Sequence, residues 1–570
     1  MSAITSGNSA ERRHDLDALR AAAMLLGIAL HAAIPYAPFF PWAMQDSQTS
    51  ESFSLLFAVI HGFRMPLFFL ISGFFTAMIW RQKGLASLLR QRALRILIPC
   101  LLASVTILPL MSWITRQLAP APEPLSVPAV VAEPPAITTL TEAIRQSSMT
   151  MLEKLIAQNP AAVNQPDPEM QVQPLAWASM HGNTESVRLL LSAGADLNGR
   201  NGDGSTALHG AAFTGQSAVL QLLLEQGADP VAKNFGGQVP AQSCAVDAGT
   251  TTFVWGLLRL PPRSPEDVVR GREECLARLP PLPATAPAEA TDLTVKVRTA
   301  YLGFITASGW QVPSLSRLGQ PPFHLFLSPV FDHLWFLWFL CWMVVGFAIV
   351  IEPCRWLQQR LGIPAAGLAR LLTVSPLKVM FLFPTVATMT LMGLFGPSFG
   401  PDTSTGLIPQ PHVLLYYSVF FFFGCLYFAA DDRDGSTGRF WWLGLPVAGV
   451  LFVLNFKFED SRLAASAIQA AYAWLMSFGC LGVARRFLGR PCVSVRWMSD
   501  ASYWLYLTHL PLLFVIQAPL KELEFSPWLK FGFACVTCTG LLLIVYQYAV
   551  RYTWLGRLLS GPRRRVMQGH

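Results

Sequence analysis

Ten apolar runs of about membrane-spanning length punctuate this 570-residue chain, near 18–37, 53–79, 94–114, 324–351, 378–396, 412–430, 441–456, 464–484, 499–519 and 528–550. Because a helix rises about 1.5 Å per residue, roughly 20 apolar residues cross the hydrocarbon core of a bilayer. In lipid every backbone N–H and C=O must find its partner within the protein, and a single segment achieves this only as a helix. The runs therefore predict an all-α, polytopic membrane helix bundle of about ten transmembrane helices. Only 13% of the residues are charged, against about 25% in soluble domains. The first residues, up to Asp17, are polar, and no small-residue cleavage site follows the first run, so it reads as a retained helix and not a signal peptide.

The net charge of +8 raises the question of nucleic acid, but the basic residues gather at the ends of the apolar runs. Arg12 and Arg13 precede the first. Arg81, Lys83, Arg90, Arg92 and Arg95 lie between the second and third. Arg355, Arg360, Arg370 and Lys378 follow the fourth, Arg485, Arg486, Arg490 and Arg496 the eighth, and Arg551, Arg557 and Arg563 to Arg565 close the chain. The alternate connections 37–52 and 397–411 carry no Lys or Arg. Positive residues stay on the cytoplasmic side, so the pattern predicts cytoplasmic termini, a multi-pass protein of a bacterial inner membrane, and no nucleic-acid partner. The ten cysteines show no zinc or redox spacing. Cys535 and Cys538, the nearest pair, lie in an apolar run as packing residues.

A polar stretch of about two hundred residues separates the third run from the fourth, too long for an ordinary loop. It repeats itself every 33 residues. "QPLAWASMHGN" starts at Gln173, "TALHGAAFTGQ" at Thr206 and a degenerate "VPAQSCAVDAG" at Val239, while "SAGADLN" and "EQGADP" recur in register. Period and motif resemble the ankyrin repeat, whose units must stack to bury their apolar faces. The expected organisation is a first membrane part (1–116), a Pro-rich linker (117–136), an α-helical ankyrin solenoid (137–258), a second Pro-rich linker (259–290) and a second membrane part (291–570). The topology places the solenoid outside, in the periplasm, where its surface serves as a spacer or holds a protein partner or a glycan.

Ionisable residues inside membrane runs are costly and mark function by default. Arg20 and His31 are eleven residues apart in the first run, on one stripe and about 16 Å apart along a helix. Asp17 is spaced to pair with Arg20. His61 and Arg64 lie three apart in "HGFRMPLFF", Asp332 and His333 open "DHLWFLWFL", and Ser502, Tyr506 and His509 share a face in "SYWLYLTHLP". Each also has a plainer reading, as a side chain bonded to a neighbouring helix. The aromatic runs around Trp335 and Phe420 read as lipid-facing or as core packing. No GxSxG nucleophile elbow and no metal-ligand cluster is evident.

"LDALRAAAMLLGIALH", "HGFRMPLFFLISGFF", "RALRILIP", "HLWFL", "YYSVFFFFG" and "SYWLYLTHLP" follow one another here. In that order they resemble the acyltransferase 3 family of membrane acyltransferases, most of all its group implicated in succinylating periplasmic glucans. The resemblance covers about 13–116 and 291–555. The ankyrin stretch departs from the family, which has a much shorter outer loop there. The resemblance implies transfer of an acyl group, acetyl or succinyl, from acyl-CoA to a hydroxyl of a periplasmic or cell-envelope glycan. Acyl-CoA is then a co-substrate, and no cofactor is bound permanently. The family's first-helix Arg and His correspond to Arg20 and His31, and its basic residues after the second helix to Arg92 and Arg95.

Acyl transfer to an alcohol needs a base and groups that stabilise an oxyanion. An imidazole, with an ordinary pKa of about 6.5, suits the first task. The expected catalytic set is therefore His31, Arg20, Arg64 and His333, with Arg20, Arg92 and Arg95 holding CoA phosphate and His61, Asp332 and His509 at the acceptor. Asp332 is expected to fix a histidine tautomer. Two other classes compete: a transporter or flippase lined by the same groups, and a sensor or scaffold centred on the ankyrin repeats.

Overall fold

In the computed structural model helices occupy every apolar run. The structure describes residues 13–38, 45–46, 48–118, 139–167, 170–234, 238–244, 246, 251, 254–255, 258, 260–261, 263–280, 293–307, 310–312, 323–393, 399–458 and 461–561. The chain divides into two compact units, one made of 1–124 and 294–570 and the other of 125–293.

The first unit opens with α1 (His14–Ala33), α2 (Glu51–Arg92) and α3 (Ile98–Leu118). Ser50 starts α2 by accepting a hydrogen bond from the Ser52 N–H. The helical run Glu51–Thr115 is 65 residues long, about three times what one crossing needs. It breaks at Gly84, whose φ of 77° is open to a residue without a Cβ. The basic residues 81–95, expected in a loop, are therefore mostly helical, and a π-turn at Ala93–Leu97 joins α2 to α3. Among the described residues seven helical runs are long and apolar enough to cross a membrane, eight if a pair bent by 72° counts as one. The difference from ten lies in the undivided Glu51–Thr115 run, that bent pair and the short helix Trp441–Asn455.

The second unit stacks α4 (Leu140–Arg145), α5 (Met149–Gln158), α6 (Pro174–His181), α7 (Thr184–Ser192), α8 (Ala207–Thr214), α9 (Ser217–Glu225), α10 (Pro240–Ser243) and α11 (Pro265–Arg278). The period is visible in the backbone. Gly182 and Gly215 end α6 and α8 with φ of 74° and 67°, and Gly194 and Gly227 both turn at 90°. The Thr-x-x-His motif has a physical purpose: the Thr206 N–H donates to His209 Nδ1, and His209 Nε2–H donates to Gln238 O of the next repeat. The expected linker 259–290 is corrected here. Its Pro265–Arg278 portion is a helix that Ser264 caps, with Val268, Arg272 and Cys275 buried. Arg272 donates to Phe213 O and Val246 O, so α11 closes the end of the stack. The other expected linker lies, from 119 on, outside the described residues.

The first unit resumes with α12 (Leu293–Thr306), then β1 (Gln311–Val312) and β2 (Phe323–His324), a two-residue antiparallel pair and the only strands among the described residues. It continues with α13 (Trp335–Leu361), α14 (Ala365–Thr373), α15 (Leu382–Met389), α16 (Pro411–Ala430), α17 (Trp441–Asn455), α18 (Arg462–Phe487), α19 (Val493–Lys521), α20 (Pro527–Val545) and α21 (Trp554–Ser560). Helices α2 and α16 meet backbone to backbone. A Cβ on Gly73 would stand 1.9 Å from Phe421 O, and one on Gly424 1.9 Å from Leu70 O. Small residues permit such approaches between membrane helices. Across the unit, Lys530 on α20 bonds both oxygens of Asp46 at 3.1 and 2.9 Å, with side chains 1% and 3% exposed.

Candidate functional site

Three histidines from three distant stretches of chain converge inside the membrane unit. α1 supplies His31, the short 3-10 turn Asp332–Leu334 ahead of α13 supplies His333, and α19 supplies His509. The His31 and His509 rings are 5.2 Å apart and those of His333 and His509 6.1 Å. Arg64 of α2 completes the group. It packs flat against α1 at Gly27, where a Cβ would lie 2.4 Å from its Nη1, so glycine is what admits the guanidinium. Together with Tyr506, these side chains line a cavity of about 30 Å³.

Hydrogen bonds fix two tautomers. His509 Nδ1 lies 2.8 Å from Tyr506 O and 3.1 Å from Leu505 O. A carbonyl only accepts, so Nδ1 carries the proton and Nε2 is the basic nitrogen. It is enclosed and has no hydrogen-bond partner. His333 is the converse, with Nε2–H donating to Leu507 O at 3.4 Å and Nδ1 unpartnered. The Tyr506 hydroxyl donates to His333 O at 2.5 Å, which ties α19 to the turn bearing His333. Arg64 reaches only Met65 Sδ, at 3.4 Å, and its Nε is enclosed without a partner. No carboxylate pairs with it among the described residues. A half-buried guanidinium lacking an anion, beside imidazoles with free lone pairs, can hold negative charge while a base takes a proton.

Three expected members do not line this cavity: Arg20 of the catalytic set, which bonds Ser499 and Asp17 instead, and His61 and Asp332 of the acceptor set. His61 donates from Nε2 to Pro401 O at 2.9 Å and stacks on Phe57 at 5.2 Å. Asp332 is exposed with φ of 37°, and the carbonyl of Leu507, not this carboxylate, sets the His333 tautomer. Ser502 bonds its own helix at Ser499 O, 2.7 Å away. Trp335, read as lipid-facing or packing, lines the cavity with Phe336.

The three expected phosphate-binding arginines lie apart from the histidines, with Arg92 within electrostatic reach of both Arg20 and Arg95. Arg20 pairs with Asp17 at 3.5 Å and donates to Ser499 Oγ and O at 2.6 and 3.1 Å. Arg92 donates to Thr76 Oγ1 at 2.8 Å. Arg95 Nη2 would stand 2.5 Å from a Cβ on Gly561. Sequence reading missed Ser499, which joins α1 to α19, and a polar knot in which Asp402 accepts from the Gly393 N–H at 2.7 Å and faces His412 at 3.7 Å. His412 bonds the Tyr301 hydroxyl at 2.9 Å. Ser499 lies within α19, Asp402 in the loop before α16 and His412 at the start of α16, where single polar side chains carry no signal of their own.

A family model described as "Acyltransferase domain" matches residues 13–138 and 294–547, and one described as "Ankyrin repeats (3 copies)" matches 140–234. The chain is 35% identical over 108 residues to "Glucans biosynthesis protein C" of Escherichia coli strain K12, covering 19% of this chain and 28% of that one. The protein of the same name from Escherichia coli strain SMS-3-5 / SECEC gives the same figures. The match thus spans about 28% of the length of these curated relatives. Among solved structures, the ankyrin repeat domain of Bcl-3 is 24% identical, covering 24% of this chain and 50% of that one, with a TM-score of 0.18.

Proposed function

We propose, from the premise that this chain belongs to the acyltransferase family its membrane unit matches, that it transfers an acetyl or succinyl group from acyl-CoA to a hydroxyl of a periplasmic or cell-envelope glycan. The observation that carries the proposal is Arg64, held against three imidazoles with no carboxylate paired to it among the described residues. An imidazole removes the acceptor hydroxyl's proton. The alkoxide oxygen bonds the thioester carbonyl carbon, and the oxyanion faces the Arg64 guanidinium. The C–S bond then breaks and the CoA thiolate takes up the proton. His31 is the assigned base. His509 and His333 present further basic nitrogens, through Nε2 and Nδ1. Arg20, Arg92 and Arg95 hold donor phosphate.

The charge pattern supports a topology with both termini cytoplasmic in an inner membrane and the ankyrin repeats in the periplasm, where their surface holds a protein or glycan partner. The test is transfer of a labelled acyl group from acyl-CoA to envelope glycan by purified wild type and His31→Ala. Loss in a variant that elutes as a folded monodisperse species supports the assignment. Equal transfer by both removes His31 from the chemistry. No transfer by wild type across several acyl-CoAs and acceptors overturns the reading.

A further inference from the structure

A second hollow lies beside the arginine cluster. It is an open cleft of about 370 Å³ between the start of α19 and the turn after α20, lined by Ser494, Arg496, Trp497, Asp500 and Arg551. Its size is in the range of small-molecule sites, whereas the histidine cavity holds about 30 Å³. Gln547 organises its floor, accepting from Trp497 Nε1 and from Arg551 Nη1, each at 2.9 Å. Arg551 Nε is enclosed with no hydrogen-bond partner, and Arg496 is exposed.

Short bonded paths connect this cleft to the cluster. Asp500 follows Ser499, which receives Arg20. The Asp500 carbonyl accepts from Ser560 Oγ at 2.9 Å, and the next residue, Gly561, lies against Arg95. The cleft thus offers a flat indole and two guanidinium groups, continuous with three more arginines. An aromatic face takes a purine ring by stacking, and guanidinium groups take phosphate by bidentate bonds.

We infer that this cleft binds the nucleotide end of the acyl-CoA donor, Trp497 taking the adenine and Arg496 and Arg551 the 3′-phosphate, while Arg20, Arg92 and Arg95 receive the diphosphate. The inference rests on the proposed donor chemistry. An anionic lipid headgroup offers the same phosphate chemistry, and the experiment separates the two.

Equilibrium binding of labelled CoA and of dephospho-CoA, which lacks the 3′-phosphate, is measured on the full chain in detergent and in nanodiscs with and without phosphatidylglycerol. The proteins are wild type, Arg551→Gln and the single exposed-site variant Arg496→Gln. Loss of one charge-assisted contact is expected to raise the Kd for CoA about tenfold and to leave dephospho-CoA, already weaker for wild type, nearly unchanged. Unchanged CoA binding in both variants, with wild type binding and transferring, overturns this placement and leaves the acyltransferase reading standing. An effect seen only with phosphatidylglycerol present assigns the cleft to lipid and also overturns it. No CoA binding by folded wild type overturns the placement and the donor reading together.

Discussion

The imidazoles of His31 and His509 lie 5.2 Å apart, tilted by 48°, although 478 positions separate them in the chain. One ring comes from the first membrane helix and the other from α19. His509 has its Nδ1 proton pinned by backbone carbonyls, so its basic nitrogen has a fixed direction. His31→Ala and His509→Ala are each expected to lower kcat by roughly 10²–10⁴-fold, the span of a lost general base or its close partner. Their combined loss should fall well short of the product, because in the proposed mechanism the two act on one proton path. Single-turnover acyl transfer by both variants and the double variant checks this.

In the proposed mechanism Arg64 supplies charge where negative charge develops. Arg64→Gln is expected to reduce kcat by roughly 10²–10³-fold with little change in KM for acyl-CoA. Arg64→Lys should not restore the rate, since a point charge on a flexible stem replaces a planar fork. Steady-state kinetics with acyl-CoA varied at saturating acceptor distinguish kcat from KM. A rise in KM alone would instead make Arg64 a binding group.

The Lys530–Asp46 pair is a structural clamp. Both side chains are sealed, at 1% and 3% exposure, so removing either leaves an uncompensated buried charge. Asp46→Ala or Lys530→Met should destabilise the membrane unit by roughly 3–5 kcal/mol, and a double apolar replacement should recover much of that. Thermal unfolding in detergent, followed by the loss of the monodisperse species, is the measurement. Additive losses in the double variant would contradict the clamp.

The Gly73–Gly424 seam tolerates no side chain. Gly73→Ala or Gly424→Ala puts a Cβ within 1.9 Å of a carbonyl oxygen, so α2 and α16 must separate. Folded yield from membranes should drop sharply for both. Gly449→Ala, at a helical glycine with no heavy atom within 4 Å of an added Cβ, serves as the control and should match wild type.

The ankyrin unit should weaken in acid. Burial holds His209 below its ordinary 6.5, outweighing its bond to Gln238 O. The unfolded chain therefore takes up a proton first. Stability is fully present above about pH 7 and declines as pH falls through the imidazole range towards the depressed folded value. Limited proteolysis of the full chain at pH 7.5 and 5.5 should show faster cleavage within 140–234 at the lower pH. His209→Gln should flatten that dependence.

The 33-residue spacing was readable because each repeat must present the same cap, turn and apolar face. Backbone turns at Gly194 and Gly227 follow directly from it. The membrane runs were readable because lipid demands length and apolarity together. His31, His333 and His509 each stood out as titratable residues in apolar surroundings, yet their meeting leaves no local trace, being a matter of how distant helices pack. His61 shows the limit of spacing arguments. Three helical residues turn about 300°, so it and Arg64 diverge by some 60°, enough to aim one at the Pro401 carbonyl and the other at α1. Asp332 was judged by adjacency to His333, but its positive φ turns it outward. Helix α11 was hidden by the prolines around it, because its buried stripe of Val268, Arg272 and Cys275 includes a charged residue that only tertiary bonds can satisfy.

The histidine cavity of about 30 Å³ has room for one water and little else. No acyl chain enters at that size, so the proposed transfer requires the segments bearing His31, His333 and His509 to part before donor and acceptor meet. A closed site of this kind would keep bulk water from the proposed thioester donor until it is accepted. On the proposed chemistry, wasteful hydrolysis of donor is expected to be slow in the absence of acceptor, with opening of the cavity as a gate to turnover.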